Sequence, residues 1–310
     1  MYCAATSVLM VVMMPRLVDP MGMALMRLEW LAMTLVLVGI SKMKTDGLIR
    51  EKYILPIFTF LRTVAQLAWL ILWYPDTYEF NRCFNNLDHI FAAADLQLFG
   101  CQPSLVFSEL LPGAAWSEAF CLGYWSYFPM IALLSCVVLW KTRTSFVAPR
   151  STFSSLTTTI LTAFFLFYFI YIFLPVAGPQ FYFEAVGVDA IEAGHFPALG
   201  TYFSNHTEML PSPGYKDGFF YHLVSSAQAT GERPTAAFPS SHIGISTILL
   251  LLARRHAPRL LFILLPLWTL LCCATVYIQA HYLVDAIAGL LCGPLILFLS
   301  RRCLHLLKYT

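Results

Sequence analysis

The chain is built from apolar runs of roughly twenty residues, divided by turns and loops that hold most of its charges. That length is what a helix needs to cross a hydrocarbon layer about 30 Å thick, at about 1.5 Å of rise per residue. Inside such a layer the backbone must satisfy its own polar groups, and a helix does so within a single segment. The runs fall at 22–41, 53–74, 116–140, 153–175, 240–253, 258–280 and 283–300. A further apolar stretch, 3–14, is too short to cross alone and stops at Pro15, so it lies at the interface or pairs with the next helix. Composition agrees: 59% of the 310 residues are hydrophobic and 12% are charged, too apolar for a soluble domain. The expected fold is an all-α, polytopic membrane helix bundle.

The location of charge gives the orientation. Lys42, Lys44, Arg50 and Lys52 follow the first run, and Lys141, Arg143 and Arg150 follow the third. Arg254, Arg255 and Arg259 occupy one turn, and Arg301 and Arg302 open the tail. The positive-inside rule places all of these on the cytoplasmic side. The alternate loops 75–115 and 176–239 carry five and six acidic residues, against Arg82 in the first and Lys216 and Arg233 in the second, and so fall outside. Three regions follow: 1–52, an N-terminal membrane helix and cytoplasmic loop; 53–300, a membrane domain with outer loops 75–115 and 176–239; and 301–310, a cytoplasmic tail. Loop 176–239 is too long for a connector and reads as a lid with short helices of its own. Loop 75–115 contains DHIFAAADLQLFG, whose apolar spacing suits a helix lying at the interface.

A net charge of +2 gives no basis for a nucleic-acid partner. Cys121, Cys136, Cys272, Cys273 and Cys292 sit in apolar runs and read as core residues; Cys83 and Cys101 share an outer loop and can pair if that side is oxidising. The start, MYCAATSVLMVVMM, lacks the basic residues and cleavage site of a signal peptide. Asn205-His206-Thr207 is a glycosylation acceptor sequence, with meaning only where the host glycosylates. Arg62, in mid-span, snorkels or pairs with an acid. His89, His195, His206 and His222 have no spacing partner and read as solvated.

Chemistry concentrates in 238–289. Ser240, Ser241 and His242 open one apolar helix, and His281 and Asp285 close the hairpin formed with the next. An antiparallel pair returns His281 to the level of His242, so both rings can line one cavity. Asp285, one turn after His281, can accept a hydrogen bond from one imidazole nitrogen and leave the other free. Pro239 begins the first helix, whose free N–H groups suit a phosphate. No metal and no cofactor is implied, because the carboxylate is placed behind the imidazole and not beside it.

These residues resemble the type 2 phosphatidic acid phosphatase superfamily. Its second motif, P-S-G-H, is matched by Pro239, Ser240, Ser241 and His242; its third, S-R-x5-H-x3-D, by His281 and Asp285, with Ala274 and Thr275 in the Ser and Arg positions. Its first motif, K-x6-R-P, has no clean match. The resemblance implies a six-helix core, to which 22–41 is an N-terminal addition. It also implies that His281 attacks phosphorus to form a phosphohistidine, that Asp285 supports it, and that His242 protonates the leaving oxygen. Loss of the third-motif arginine removes a phosphate clamp. Arg233, in the chain's only Arg-Pro dipeptide, could replace it or could pair with Glu232. Lys216 is a second candidate, and Gln180 can hydrogen-bond a phosphate or polyol without neutralising it.

CCATVYIQAHYLVD is similar to the third motif of the fungal inositol phosphorylceramide synthases and, more loosely, of sphingomyelin synthases; DLQLFGCQPS and LPGAAWSEAFCLGYWSYFP are similar to the first half of that inositolphosphotransferase group. Residues 85–295 carry the resemblance. It implies a lipid phosphotransferase acting on membrane phospholipids or sphingolipids, with the site facing periplasm, lumen or exterior. Hydrolysis of phosphatidic acid or an isoprenoid pyrophosphate is the alternative, and a non-catalytic transporter or scaffold a second. The sequence leaves the oligomeric state open.

Overall fold

A computed structural model describes residues 1–41, 55–144 and 151–306. Among them the regular structure is entirely helical. The helices are α1 (Tyr2–Met13), α2 (Pro20–Ser41), α3 (Leu55–Asn81), α4 (Asp88–Phe99), α5 (Pro103–Leu110), α6 (Ala114–Trp125), α7 (Tyr127–Thr144), α8 (Ser151–Phe173), α9 (Pro179–Val186), α10 (Val188–Glu192), α11 (Phe219–Gly231), α12 (Ser241–His256), α13 (Leu261–Tyr277) and α14 (Leu283–Leu306).

Helix α12 is the hub, packed by α7, α8, α13 and α14. Its Ile245, Ile248, Leu249 and Leu252 are buried in the main core with Met130, Leu134, Phe167 and Leu271. Helices α12 and α14 touch at backbone distance because glycine leaves room: a Cβ on Gly289 would collide with the Ser240 carbonyl, and one on Gly293 would come within 2.9 Å of the Gly244 carbonyl. This close approach holds the start of α14 against the start of α12, where the two histidines lie.

Four single helices are long and apolar enough to cross a membrane, Pro20–Ile40, Thr152–Phe173, Pro258–Tyr277 and Leu283–Leu306; two bent pairs raise the number to six among the described residues. The difference from the seven expected spans has physical causes. The expected 240–253 span is a 16-residue helix, roughly 24 Å long and short for a bilayer. The expected 53–74 span begins outside the described residues. The 116–140 run is one of the bent pairs, kinked by 50° between Ala114–Trp125 and the following helix.

The other bent pair, Asp88–Phe99 with Pro103–Leu110 at 58°, corrects the reading of DHIFAAADLQLFG as a helix on the interface. Its Asp88, Ala92 and Asp95 face is buried in the protein. The basic cluster 42–52, Arg150 and the side chain of Arg143 lie outside the described residues, and α14 runs on through Arg301 and Arg302 to Leu306. Cys83 and Cys101 are free thiols, with Cys83 Sγ turned to the Arg16 carbonyl at 3.2 Å. Arg62 reaches the Ser154 hydroxyl at 3.5 Å. His89 is not a solvated loop residue: it is half-buried on α4, with Nδ1 enclosed and without a partner.

The N-terminal helices are part of the bundle. Tyr2 stacks on Phe165, with ring centroids 4.6 Å apart. Arg27 of α2 makes a two-pronged ion pair with Asp76 of α3, at 2.7 and 2.9 Å, over the rings of Trp73 and Phe80. Removing one member of such a buried pair strands the other charge, at a cost of about 3–5 kcal/mol, whereas replacing both with apolar groups is close to neutral. Arg27→Met should therefore lower the apparent Tm in detergent sharply, and Arg27→Met with Asp76→Leu should recover most of the loss. Equal melting of the single and double variants would show that the pair does not dock α2.

Candidate active site

Ser240 caps α12, its hydroxyl accepting from the Ile243 N–H at 3.5 Å, which sets His242 in the first turn. After α13 the chain turns through Gln279, at φ +63°, and delivers His281 ahead of α14. The His281 N–H donates to the Thr275 carbonyl at 3.0 Å. Its Nδ1 lies 2.8 Å from the Ala237 carbonyl. A carbonyl oxygen can only accept, so Nδ1 carries the proton and Nε2 keeps its lone pair. That Nε2 lies 3.4 Å from His242 Nδ1, with the rings at 68°. The two imidazoles do meet. His242 is otherwise held by ring contacts alone, with Tyr124 stacked at 4.7 Å and Tyr127 at 4.6 Å.

Asp285 is placed differently from the simple His-x-x-x-Asp expectation. Its Oδ2 stands 3.8 Å from His281 Nδ1, beyond hydrogen-bond range, and accepts instead from the Tyr282 N–H at 3.0 Å. Oδ1 is buried without a partner. The backbone carbonyl has the place that the spacing assigned to the carboxylate.

Two acids that sequence reasoning passed over organise this region. Asp88 accepts from the Ala177 and Gly178 N–H groups and, at 3.0 Å, from the Tyr282 hydroxyl. Asp95 accepts from the Leu283 and Val284 N–H groups at 2.9 and 3.0 Å, capping α14 directly after His281. The sequence signal was two acids seven residues apart in an apolar helix, hence on one face. Gly178, at φ +98°, is required where that segment passes the Ala280 carbonyl, 2.7 Å from where a Cβ would sit.

The candidate phosphate ligands are dispersed. Gln180 is buried and fully engaged: Nε2 donates to the Leu210 carbonyl and Ser212 hydroxyl, and Oε1 accepts from Gln228, so it ties the lid together. Lys216 is exposed in the turn above Ser117 and Glu118. Arg233 donates to the Glu232 carbonyl at 2.8 Å and lines a cavity of about 520 Å³ with Asp76, Glu79 and Arg82. Thr275 is fully buried, its hydroxyl turned back to the Cys272 carbonyl at 2.9 Å. Among the described residues, no Lys or Arg hydrogen-bonds or ion-pairs with His242, His281 or Asp285. Ser241 is half-buried beside His242, and Ser240 is fully buried.

Burial decides the electrostatics. His281, 3% exposed, is pushed down to about 4, the Ala237 hydrogen bond acting in the opposite direction. Glu232, whose carboxylate accepts from the Tyr74 hydroxyl at 3.0 Å, is raised by burial, while that bond and Arg233 lower it. Among the described residues, no group of three His, Cys, Asp or Glu side chains is placed to hold a metal.

A family model described as the PAP2 superfamily matches residues 90–299, more than half of the chain and inclusive of His242, His281 and Asp285. Comparison with curated proteins gave no match, and neither did comparison with solved structures. By the extent of that family match, over a helical bundle that brings the two histidines together, the chain belongs to the PAP2 superfamily.

Proposed function

We propose that the protein is an integral-membrane lipid phosphotransferase, working through a phosphohistidine on His281 and moving a phosphoinositol-type headgroup between lipids at the outer membrane face. Superfamily membership supports the coarser statement, a lipid phosphatase or phosphotransferase. The observation that carries the finer one is His281 itself: neutral, buried, protonated on Nδ1 and bare on an Nε2 that faces a second imidazole.

The His281 Nε2 lone pair forms the N–P bond as the bond from phosphorus to the departing diacylglycerol oxygen breaks; His242, charged as imidazolium when the anionic phosphodiester binds beside it, gives that oxygen its proton and is left neutral. His242 then takes the proton of an incoming lipid hydroxyl; the new O–P bond forms, the N–P bond breaks, and His281 returns to its starting state. At 3.4 Å the rings are too close to hold a phosphoryl group between them. His242, held by ring stacking, is the one that yields, because His281 is pinned at Nδ1 and at its backbone N–H. When the phosphorylated ring becomes cationic, a shift of less than about 1 Å turns the 3.8 Å approach of Asp285 into a hydrogen bond.

Charge favours a phosphodiester donor. A monoester carries about −1.5 to −2 at neutral pH and a diester about −1, and each unit needs a compensating partner in a dry site. Asp285 lies 3.8 Å from His281 Nδ1, with Asp88 and Asp95 holding the backbone on either side of it, while Glu232 has Arg233 as its countercharge. Helix N–H groups at Ser241 and His242 then serve one negative charge better than two. The buried His281, beneath the 176–239 lid, favours a lipid hydroxyl over water in the second step. The half-exposure of His242 favours the alternative, hydrolysis of a lipid phosphate.

Purified protein given phosphatidylinositol with ceramide or diacylglycerol should make a new inositol-phosphate lipid with little free inositol phosphate, and phosphatidic acid should release little free phosphate. Release of inositol phosphate or of phosphate without a new lipid would reject transfer. His281→Gln should cost on the order of 10³-fold or more and abolish an acid-labile phosphoprotein; His242→Gln should cost about 10²–10⁴-fold. The His281 imidazole resonance, assigned with His281→Gln, should titrate near 4 and not near the usual value of about 6.5. Since folding lowers this pKa, its contribution erodes as pH falls from about 6.5 towards 4 and is complete above that window. Titration near 6.5 would show that the ring is solvated.

A further inference from the structure

We infer that a groove between α5, α13 and α14 holds a hydrocarbon tail of the substrate lipid and delivers its phosphate to the histidines. The inference rests on the lipid-directed reading above and adds where the lipid enters and which part of it this wall recognises. The cavity is about 480 Å³, within the range of ligand sites. Its walls include Val106 and Phe107 of α5, Cys272 and Val276 of α13, and Leu290 of α14. All of its lining side chains are apolar or thiol apart from the indole N–H of Trp268, which is committed to the Thr247 hydroxyl at 3.1 Å. A headgroup or ordered water would find no hydrogen-bond partner there among the side chains.

Two observations select a substrate tail as the occupant. The inner wall of the groove belongs to the turns that carry the two histidines: Ile243 follows His242 directly, and Leu283 lies two residues after His281 with its N–H held by Asp95. Its other end opens outward, where Leu110, Ile287 and Leu290 are exposed at 71%, 42% and 41% on helices of membrane-spanning character. A chain lying in the groove therefore has its polar end at the rings and its methyl end in the bilayer. The 58° bend between α4 and α5 turns α5 away from the line of α4, and α5 supplies one wall of the groove opposite α14.

The test uses the full-length protein in lipid nanodiscs with Val106→Trp and Leu290→Trp, which fill the groove from opposite walls and lie outside the catalytic set. Each variant is assayed with a long-chain phosphatidylinositol and with a dibutanoyl analogue whose tails are too short to need the groove. The expected result is a loss of roughly tenfold or more on the long-chain lipid, with short-chain turnover within about twofold of the parent. Equal activity on both lipids would overturn the inference, and so would equal loss on both by variants that melt like the parent. Photo-crosslinking with a diazirine at mid-chain supplies a readout independent of turnover. Adducts at Phe107, Cys272 or Leu290, lost in the variants, support the groove. Adducts spread over the outer faces of α2 and α7 as well would reduce it to ordinary bilayer contact and refute the inference. Failure of the proposed function looks different: no new lipid from either donor, with crosslinking at the groove intact.

Discussion

The hydrogen bond from His281 Nδ1 to the Ala237 carbonyl is the contact on which the rest of the site depends. It joins two segments 44 residues apart, fixes which nitrogen carries the proton, and aims the other at His242. A neutral carbonyl does this without adding charge to a buried ring, so the imidazole remains neutral. Bringing that carbonyl there bends the backbone on both sides. Ala236 at φ +68° and Gln279 at φ +63° occupy the left-handed region that side chains usually avoid, and Gly178 at φ +98° completes the turn that packs against them. Ala237 N–H to Val176, Gln180 N–H to Gln279 and Ser240 N–H to Asp285 then tie the three segments together by their backbones.

In so apolar a molecule the acids do structural work that water would do elsewhere. Asp88 and Asp95 each gather two backbone N–H groups that no helix satisfies, one set at 177–178 and the other at 283–284. A carboxylate in a low dielectric is costly without partners, and N–H groups in a helix's first turn are costly without acceptors, so each resolves the other. Because both acids sit on α4, one helix sets the registers of the loop before α9 and of the turn that carries His281.

The bundle was legible because bilayer length writes itself into sequence; PSSH and HYLVD were legible because their spacing is local. Partners distant in sequence were not. The Gln180 amide meets residues 30, 32 and 48 positions away, and nothing near it announces that both of its ends are spoken for. Asp285 was assigned to His281 by helical spacing alone, and a carbonyl from the lid reached the nitrogen first. The acids of DHIFAAADLQLFG were visible, but an interfacial helix and a buried clamp share the same period, and only the tertiary partners separate them. Length alone does not assign the short α12, because an apolar run of its length belongs equally to a bilayer span and to a helix buried in a protein core.

On the proposed reading, a phosphoryl site with no contacting cation among the described residues also constrains how the molecule divides its labour. Asp88, Asp95 and Asp285 offer an anionic headgroup no attraction, so in the proposed reading the α12 N–H groups are supplemented by apolar surface. Burying a tail against α13 and α14 contributes about 25 cal/mol for each Å² removed from water or disordered solvent, but nothing relative to lipid that already solvates the tail. The useful gain is therefore orientation: a tail held beside Ile243 limits where its phosphate can be, and a bare Nε2 in a dry pocket needs placement more than it needs attraction. Weak binding with strict placement suits an enzyme whose substrate is its own solvent.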